Sequence, residues 1–291
     1  MTGSYPTALD STPPMVSRED CEYRPAHPAL RSVIPGYYVL RNPNLLAGNQ
    51  FIGLCKCSLF FHFFYNDRKL ELSFGTKNVK STYQGILSGQ IVGPTSIFCK
   101  DPLCVITVEM LPIGMMQLFG ISALDLKEQI VSVSDLHFAD FDRLIDQLRH
   151  QTSIDEHKVT LDDFFLRRFL YDERIDSFCA CVDLLFRSSG TATVNALRKR
   201  ACLSKRQFER RFKEQAGISA SVMRRFIRSN CALGRILQNE SVFKVVEGLG
   251  YVDQSHLIKD IKWYTGKTPS LLRNQCRNRV IRIGSATFIL G

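Results

Sequence analysis

The stretches ALRKRACLSKRQFERRFKEQAG (residues 196–217) and KVVEGLGYVDQSHLIKDIKWYTG (residues 244–266) are two versions of one pattern. Leu197, Cys202, Ser204, Phe208, Phe212-Lys213 and Gly217 in the first correspond to Val245, Gly250, Asp253, Leu257, Ile261-Lys262 and Gly266 in the second. Ser219-Ala220 then corresponds to Thr268-Pro269. The offset is 48 residues before the turn and 49 after it, so the second turn holds one extra residue. A repeat of this size is one supersecondary unit used twice.

Each copy reads as helix, tight turn, helix. In the first, Val194, Leu197 and Ala201 form an apolar stripe, and Ser204 followed by Gln207 is a capping-box signature. The helix it opens buries Phe208 and Phe212, while Arg206, Glu209, Arg210 and Lys213 fall together on the opposite face. In the second, Val242, Val245, Val246 and Leu249 form the stripe, and Gly250 makes the turn. Asp253 caps a helix that buries Leu257, Ile261 and Tyr264. Ser255, Lys259 and Lys262 line its exposed side, with Gln254 and His256 at its start, and Gly266 ends it.

A third helix, over 219–238, joins the two units. Val222, Phe226, Leu233, Ile236 and Leu237 keep the helical period, and Arg224, Arg225, Arg228 and Arg235 carry charge. About twenty residues make a rod of roughly 30 Å. One turn of B-form DNA is about 34 Å. The connector therefore has the length to set two helices one turn apart on one face of a duplex.

Charge segregates with this region. Residues 187–282 hold 21 Lys and Arg against 6 Asp and Glu, a balance of +15, whereas residues 1–186 hold 17 against 22, a balance of −5. A basic block of this kind is the electrostatic footprint of nucleic-acid binding. By charge alone it is also compatible with a solvated basic surface that has no partner.

Ahead of the repeat, short β-rich runs alternate with turn residues: Tyr37–Leu40, Phe51–Tyr65, Leu70–Phe74, Tyr83–Val92 and Leu103–Leu111. They predict a small antiparallel sandwich or barrel, with the apolar run Leu59–Tyr65 covered on both faces and its His62 a hydrogen-bonded core residue. From Asp135 the period turns helical, with Leu136, Phe138, Phe141, Leu144, Ile145 and Leu148 on one side. Gln151 to Lys158 reads as a linker, and amphipathic helices follow near 161–170 and 174–186. The fold class is thus α+β: a β-rich front with helices and an all-α double helix-turn-helix back.

No run of about 18 apolar residues is present, which excludes a membrane-spanning helix. Met1 to Met15 lacks the layout of an export signal, so the ten cysteines read as reduced thiols of a cytoplasmic chain. Cys55/Cys57 and Cys179/Cys181 form Cys-x-Cys pairs, best explained as small buried hydrophobes rather than thiol sensors.

Thr191 to Arg273 resembles the DNA-binding domain of the AraC/XylS family of bacterial transcription regulators. The resemblance is most specific in Leu249-Gly250-Tyr251, Asp253-Gln254-Ser255-His256 and Gly266-Lys267-Thr268-Pro269. The region before it, notably Val92-Gly93-Pro94, Pro112-Ile113-Gly114 and Leu118–Leu136, resembles a sensor domain of some members. With the polar, Pro-bearing N-terminus read as a disordered lead-in over 1–20, the chain divides into a sensor domain over 21–150, as the resemblance implies, and a helical connector over 151–187. A DNA-binding domain over 188–278 and a tail over 279–291, able to pack on either half, complete the division. Base contacts fall to Arg206, Glu209 and Arg210 in the first reading helix and to Gln254, Ser255, His256 and Lys259 in the second. These side chains suit the task, since Arg bonds guanine, Gln adenine, and Glu accepts from cytosine. Lys205, Arg211, Lys213 and Lys262 are assigned to phosphate, which positions without specifying. The implied partners are double-stranded DNA, RNA polymerase, a small-molecule effector or protein partner, and a second copy of the chain. No cofactor, metal or catalysis is implied.

Two positions depart from the family, which has a small Ala where Arg198 and Val246 stand here. Arg198 can snorkel outward and Val246 can be absorbed by repacking, and the docking angle of the first unit turns on this. Two rival readings remain. One is a cysteine-based enzyme or alkyl acceptor fused to a DNA-binding unit, although Cys55, Cys57, Cys99 and Cys104 lack a metal-ligand arrangement and no hydrolase or phosphate-loop motif is present. The other is an architectural DNA-binding protein without an effector.

Overall fold

A computed structural model of the chain describes residues 21–40, 49–53, 58–64, 70–74, 77–81, 84–91, 95–99, 102, 104–138, 140–169, 176–275, 280–283 and 286–290. The lead-in expected over 1–20 and the Cys55/Cys57 pair lie outside the described residues.

Twelve strands occur among the described residues. In chain order they are β1 (Cys21–Pro25), β2 (Gly36–Leu40), β3 (Asn49–Gly53), β4 (Leu59–Phe64), β5 (Leu70–Phe74) and β6 (Lys77–Ser81). The rest are β7 (Gly85–Ser88), β8 (Thr95–Cys99), β9 (Val105–Met110), β10 (Ile130–Ser132), β11 (Val280–Ile283) and β12 (Ala286–Leu290). Six form an antiparallel sheet in the order β1-β2-β9-β4-β7-β10. Its centre, β9 and β4, is buried along almost its whole length, the polar Thr107 and Glu109 of β9 included. His62 is the half-buried exception; its Nδ1 lies 3.0 Å from Thr107 Oγ1, the core hydrogen bond expected of it.

The run Phe51–Tyr65, expected as one strand, is two. β3 belongs to a separate sheet of order β11-β12-β3-β8, and β4 to the six-stranded one. β6, β8 and β1 were not foreseen, since their sequences show no clean alternation. The C-terminal tail folds as a hairpin that adds to the front half: Leu290, Ile289 and Phe288 pair with Phe51, Ile52 and Gly53.

One face of the large sheet is covered by α1 (Pro112–Phe119), α2 (Asp140–Arg149) and α3 (Ile154–Leu166). The seam is aromatic: Phe61 of β4 lies 5.6 Å from both Phe119 and Phe141, and Phe119 lies 5.7 Å from Phe141. Each fully buried Phe contributes about 2–3 kcal/mol of apolar transfer. α2 buries Phe141, Leu144, Ile145 and Leu148, as its period requires. Most of the expected linker Gln151–Lys158 is instead the start of α3, which begins at Ile154 with Ser153 as its cap. Ser153 Oγ accepts from Glu156 N–H at 3.2 Å, and the Glu156 carboxylate accepts from Ser153 N–H at 3.0 Å. Polarity there reflects helix capping, not a loop. Buried Asp162 then ties α3 to the front half, accepting from the Tyr37 hydroxyl and the His27 amide, each at 2.8 Å, and pairing with Lys158.

The back of the chain is helical: α4 (Asp176–Arg187), α5 (Val194–Arg200), α6 (Lys205–Ala216), α7 (Ala220–Leu237), α8 (Val242–Gly248), α9 (Gln254–Thr265) and α10 (Pro269–Gln275). Cys181 in α4 is buried; its thiol donates to Leu197 O and is pushed up to about 11 by burial, which fits a packing role. Among the described residues no helix is long and apolar enough to cross a membrane.

Candidate nucleic-acid interface

Local chemistry fixes each unit as the repeat requires. Ser204 and Gln207 form the capping box at the start of α6, and Gly217 ends it at φ 73°. Asp253 accepts from the His256 amide at 2.7 Å to start α9, and Gly266 ends it at φ 74°. In the second turn Gly250 sits at φ 62°, and in the first turn Cys202 occupies the equivalent left-handed position at φ 53°. A side chain there costs about 1–2 kcal/mol.

Within the first unit Phe208 and Phe212 are buried, and Phe212 packs 5.0 Å from Phe178 of α4. Lys205, Arg206, Glu209, Arg210, Arg211 and Lys213 are all exposed on α6. Arg210 pairs with Glu214 at 3.6 Å, so one candidate base-reading side chain already has a local partner. Arg211 stands apart from the other candidates: it lines a cleft of about 330 Å³ shared with Ile113 and Met116 of α1 and Phe178 of α4. Arg198 does not simply snorkel outward. It donates to Leu203 O at 3.2 Å and to Asn195 Oδ1 at 2.9 Å, which staples α5 to the turn that follows it. Val246 is half-buried and packs on the core.

The first unit also leans on the front half. The Ser122 hydroxyl donates to Glu214 O at 3.1 Å. A Cβ on Gly217 would lie 2.7 Å from Ala123 O and 2.6 Å from Gln90 Oε1. The last turn of α6 therefore rests against the segment following α1, and a glycine is required there both by φ and by this close approach.

In the second unit Gln254, Ser255, Lys259 and Lys262 are exposed, whereas His256 is half-buried. His256 meets Tyr251 edge-on at 5.2 Å and lies 3.4 Å from Arg228 Nη2. This leads to a cluster that motif reading passed over. Asp260, only 4% exposed in its side chain, accepts from Arg225 Nε at 2.8 Å and from Arg228 Nη2 at 2.9 Å. Arg225 also stacks 3.9 Å over Trp263, and Arg228 4.2 Å over Tyr251, whose hydroxyl is pushed up to about 12 chiefly by burial. Phe226 completes the contact, 4.7 Å from Trp263. The connector thus grips α9 through paired charges and rings. Its available signal was an acidic residue within an otherwise basic helix, facing Arg225 and Arg228 spaced three apart.

The far end of the connector is fixed likewise. Arg235 donates to Glu240 at 2.7 Å, and Arg273 donates to Glu240 O at 2.6 Å, so α7, α8 and α10 share one joint. At 18 residues α7 is about 27 Å long.

The helix-turn-helix domain family matches residues 197–275. Among solved structures, ToxT from Vibrio cholerae in its P21 form is 14% identical, with 78% of this chain and 94% of that chain covered and a TM-score of 0.44. Unsaturated-fatty-acid-bound wild-type ToxT of Vibrio cholerae strain SCE256 is 13% identical, with 78% and 92% covered and a TM-score of 0.44. A search among curated proteins finds no match.

Proposed function

We propose that this protein is an AraC-type transcription regulator that reads two successive major-groove segments, one with α6 and one with α9, a reading supported by the match of residues 197–275 to a helix-turn-helix domain family. The observation that carries this reading is the pair of capped helices, α6 exposing Lys and Arg and α9 exposing Lys259 and Lys262, held apart by one 18-residue helix. In this reading Arg206, Glu209 and Arg210, then Gln254, Ser255, His256 and Lys259, meet base edges. Lys205, Lys213 and Lys262 hold phosphate, and Arg211 does so from the mouth of its cleft. Residues 21–150 form the regulatory half, 151–187 a helical connector and 188–278 the DNA-binding half. The contact of Ser122 and Ala123 with the last turn of α6 supports signal transfer between them: a small molecule or protein partner favouring one arrangement shifts how α6 is presented. The bound protein then recruits or blocks RNA polymerase, acting singly or as a homodimer through the front half.

Sequence-selected binding of random duplexes tests the core of this, comparing the wild type with Arg210→Ala/Lys259→Ala. The expected result is a motif with two elements about one turn apart, lost in the variant. No enriched sequence, at a salt concentration where nonspecific binding is weak, would leave an architectural DNA-binding role instead.

A further inference from the structure

Between the connector and the second reading helix lies a cleft of about 340 Å³ lined by Ser221, Arg224, Arg225, Arg228, His256, Lys259 and Asp260. Four of these carry permanent positive charge and one carries negative charge, and the carboxylate is already spent. Both its oxygens accept from Arg225 and Arg228. Among the described residues Arg224 commits only its Nε, to Gly190 O at 3.1 Å. The buried Arg228 Nε has no hydrogen-bond partner among the described residues. A guanidinium offers five N–H donors, so three of them lining one cleft with a single carboxylate leave donors and charge in excess. Burial, and then the neighbouring Arg228 cation, pull the Arg224 pKa down, the direction expected where an anion is wanted.

We propose that this cleft is a phosphate site, and that the phosphate it takes is a backbone phosphodiester of the bound duplex, beside the groove entered by α9. The assignment rests on the DNA-binding reading above and adds Arg224, Arg225 and Ser221 to the interface. Lys259 and His256 lie on both the cleft and the reading helix, so a strand bordering the groove passes the cleft as α9 enters. The guanidinium forks of Arg224 and Arg225 suit the planar, bidentate recognition of phosphate oxygens. Such a contact fixes the register of α9 without reading sequence.

Ser221→Glu tests this without disturbing the fold. Ser221 is exposed in the first turn of α7, where an acidic side chain is favoured by the helix dipole, and a carboxylate there occupies the anion position. Affinity for a mixed-sequence duplex of roughly 30 base pairs, long enough for both units, is measured across a salt series, with Arg224→Gln as the second variant. The expected result is a thermal midpoint unchanged or raised for Ser221→Glu. Both variants should lose about tenfold in affinity, the loss expected for one charge-assisted contact. The slope of log K against log salt should fall by about 0.9 in each, the amount for one phosphate. Wild-type affinity and slope in both variants would overturn the phosphate assignment while leaving DNA binding intact. If, in addition, inorganic phosphate raises the thermal midpoint of the wild type but not of Ser221→Glu, the cleft serves a soluble phosphate compound and the duplex assignment falls. A wild type that binds no duplex overturns both readings together.

Discussion

Replacing Asp260 by Ala should uncouple the second reading helix from the connector. The side chains of Asp260 and Arg228 are 4% and 9% exposed, and that of Arg225 is 38% exposed. Removing one partner of a buried ion pair costs about 3–5 kcal/mol, because the other charge is left without compensation. Arg225 can turn toward water and recover its hydration, so its share is discounted; Arg228 has no such route. The lower end, about 3 kcal/mol, is the expected loss. With a urea m-value of about 2–3 kcal/mol/M, the unfolding midpoint should fall by roughly 1–1.5 M. Trp263 is the single tryptophan of the chain and lies under Arg225, so its fluorescence reports this interface directly. Adding Arg228→Met should recover part of the loss, since the stranded charge is then gone. In sequence selection the element read by α9 should blur while that read by α6 stays sharp. An unfolding free energy within about 0.5 kcal/mol of wild type, a change typical of ordinary surface substitutions, would refute the claim that these charges hold α9 in place.

Three further outcomes follow from the same geometry. Cys202→Gly should raise stability by about 0.5–1 kcal/mol, because it relieves a left-handed φ at an exposed position, less the added freedom of the unfolded chain; a lower urea midpoint would contradict this. Gly217→Ala should cost more than Gly266→Ala: both share the left-handed φ, but Gly217 is buried against Ala123 O, whereas Gly266 is exposed. Equal midpoints would show that α6 does not rest on the front half. The Arg235 guanidinium holds the Glu240 carboxyl below its ordinary value of about 4.3. A depressed carboxylate contributes stability above its unfolded pKa and loses it as pH falls through the folded value. The stability gap between wild type and Glu240→Gln should therefore be full at pH 7 and close toward pH 3. Thermal midpoints across that range check it, and a gap that widens in acid would be the contrary result.

Much of the back half was legible in the chain because its signals are local. Ser204 with Gln207, Asp253 with the amide three residues on, and the glycines at 217, 250 and 266 each act within one turn of backbone. Apolar period four or three apart then fixes which face of α6 and α9 is buried, and by exclusion which face is free. At Ser153 the capping box lies inside a polar stretch, whose composition by itself reads as a linker.

What only the tertiary structure decided are the contacts between residues far apart in sequence. Nothing local pairs Asp260 with Arg225 and Arg228, seats Gly217 on Ala123, or splits Phe51–Tyr65 between two sheets. Nor does any local signal send the tail hairpin back to β3. A strand's propensity says that it will pair but not with which edge, and a charge's neighbours on its own helix do not reveal what packs across from it. The sequence by itself therefore determined two capped helices and the rod between them. The fold determined which charges are bound to one another and which are left to meet a ligand, because burial and pairing are properties of the packed chain.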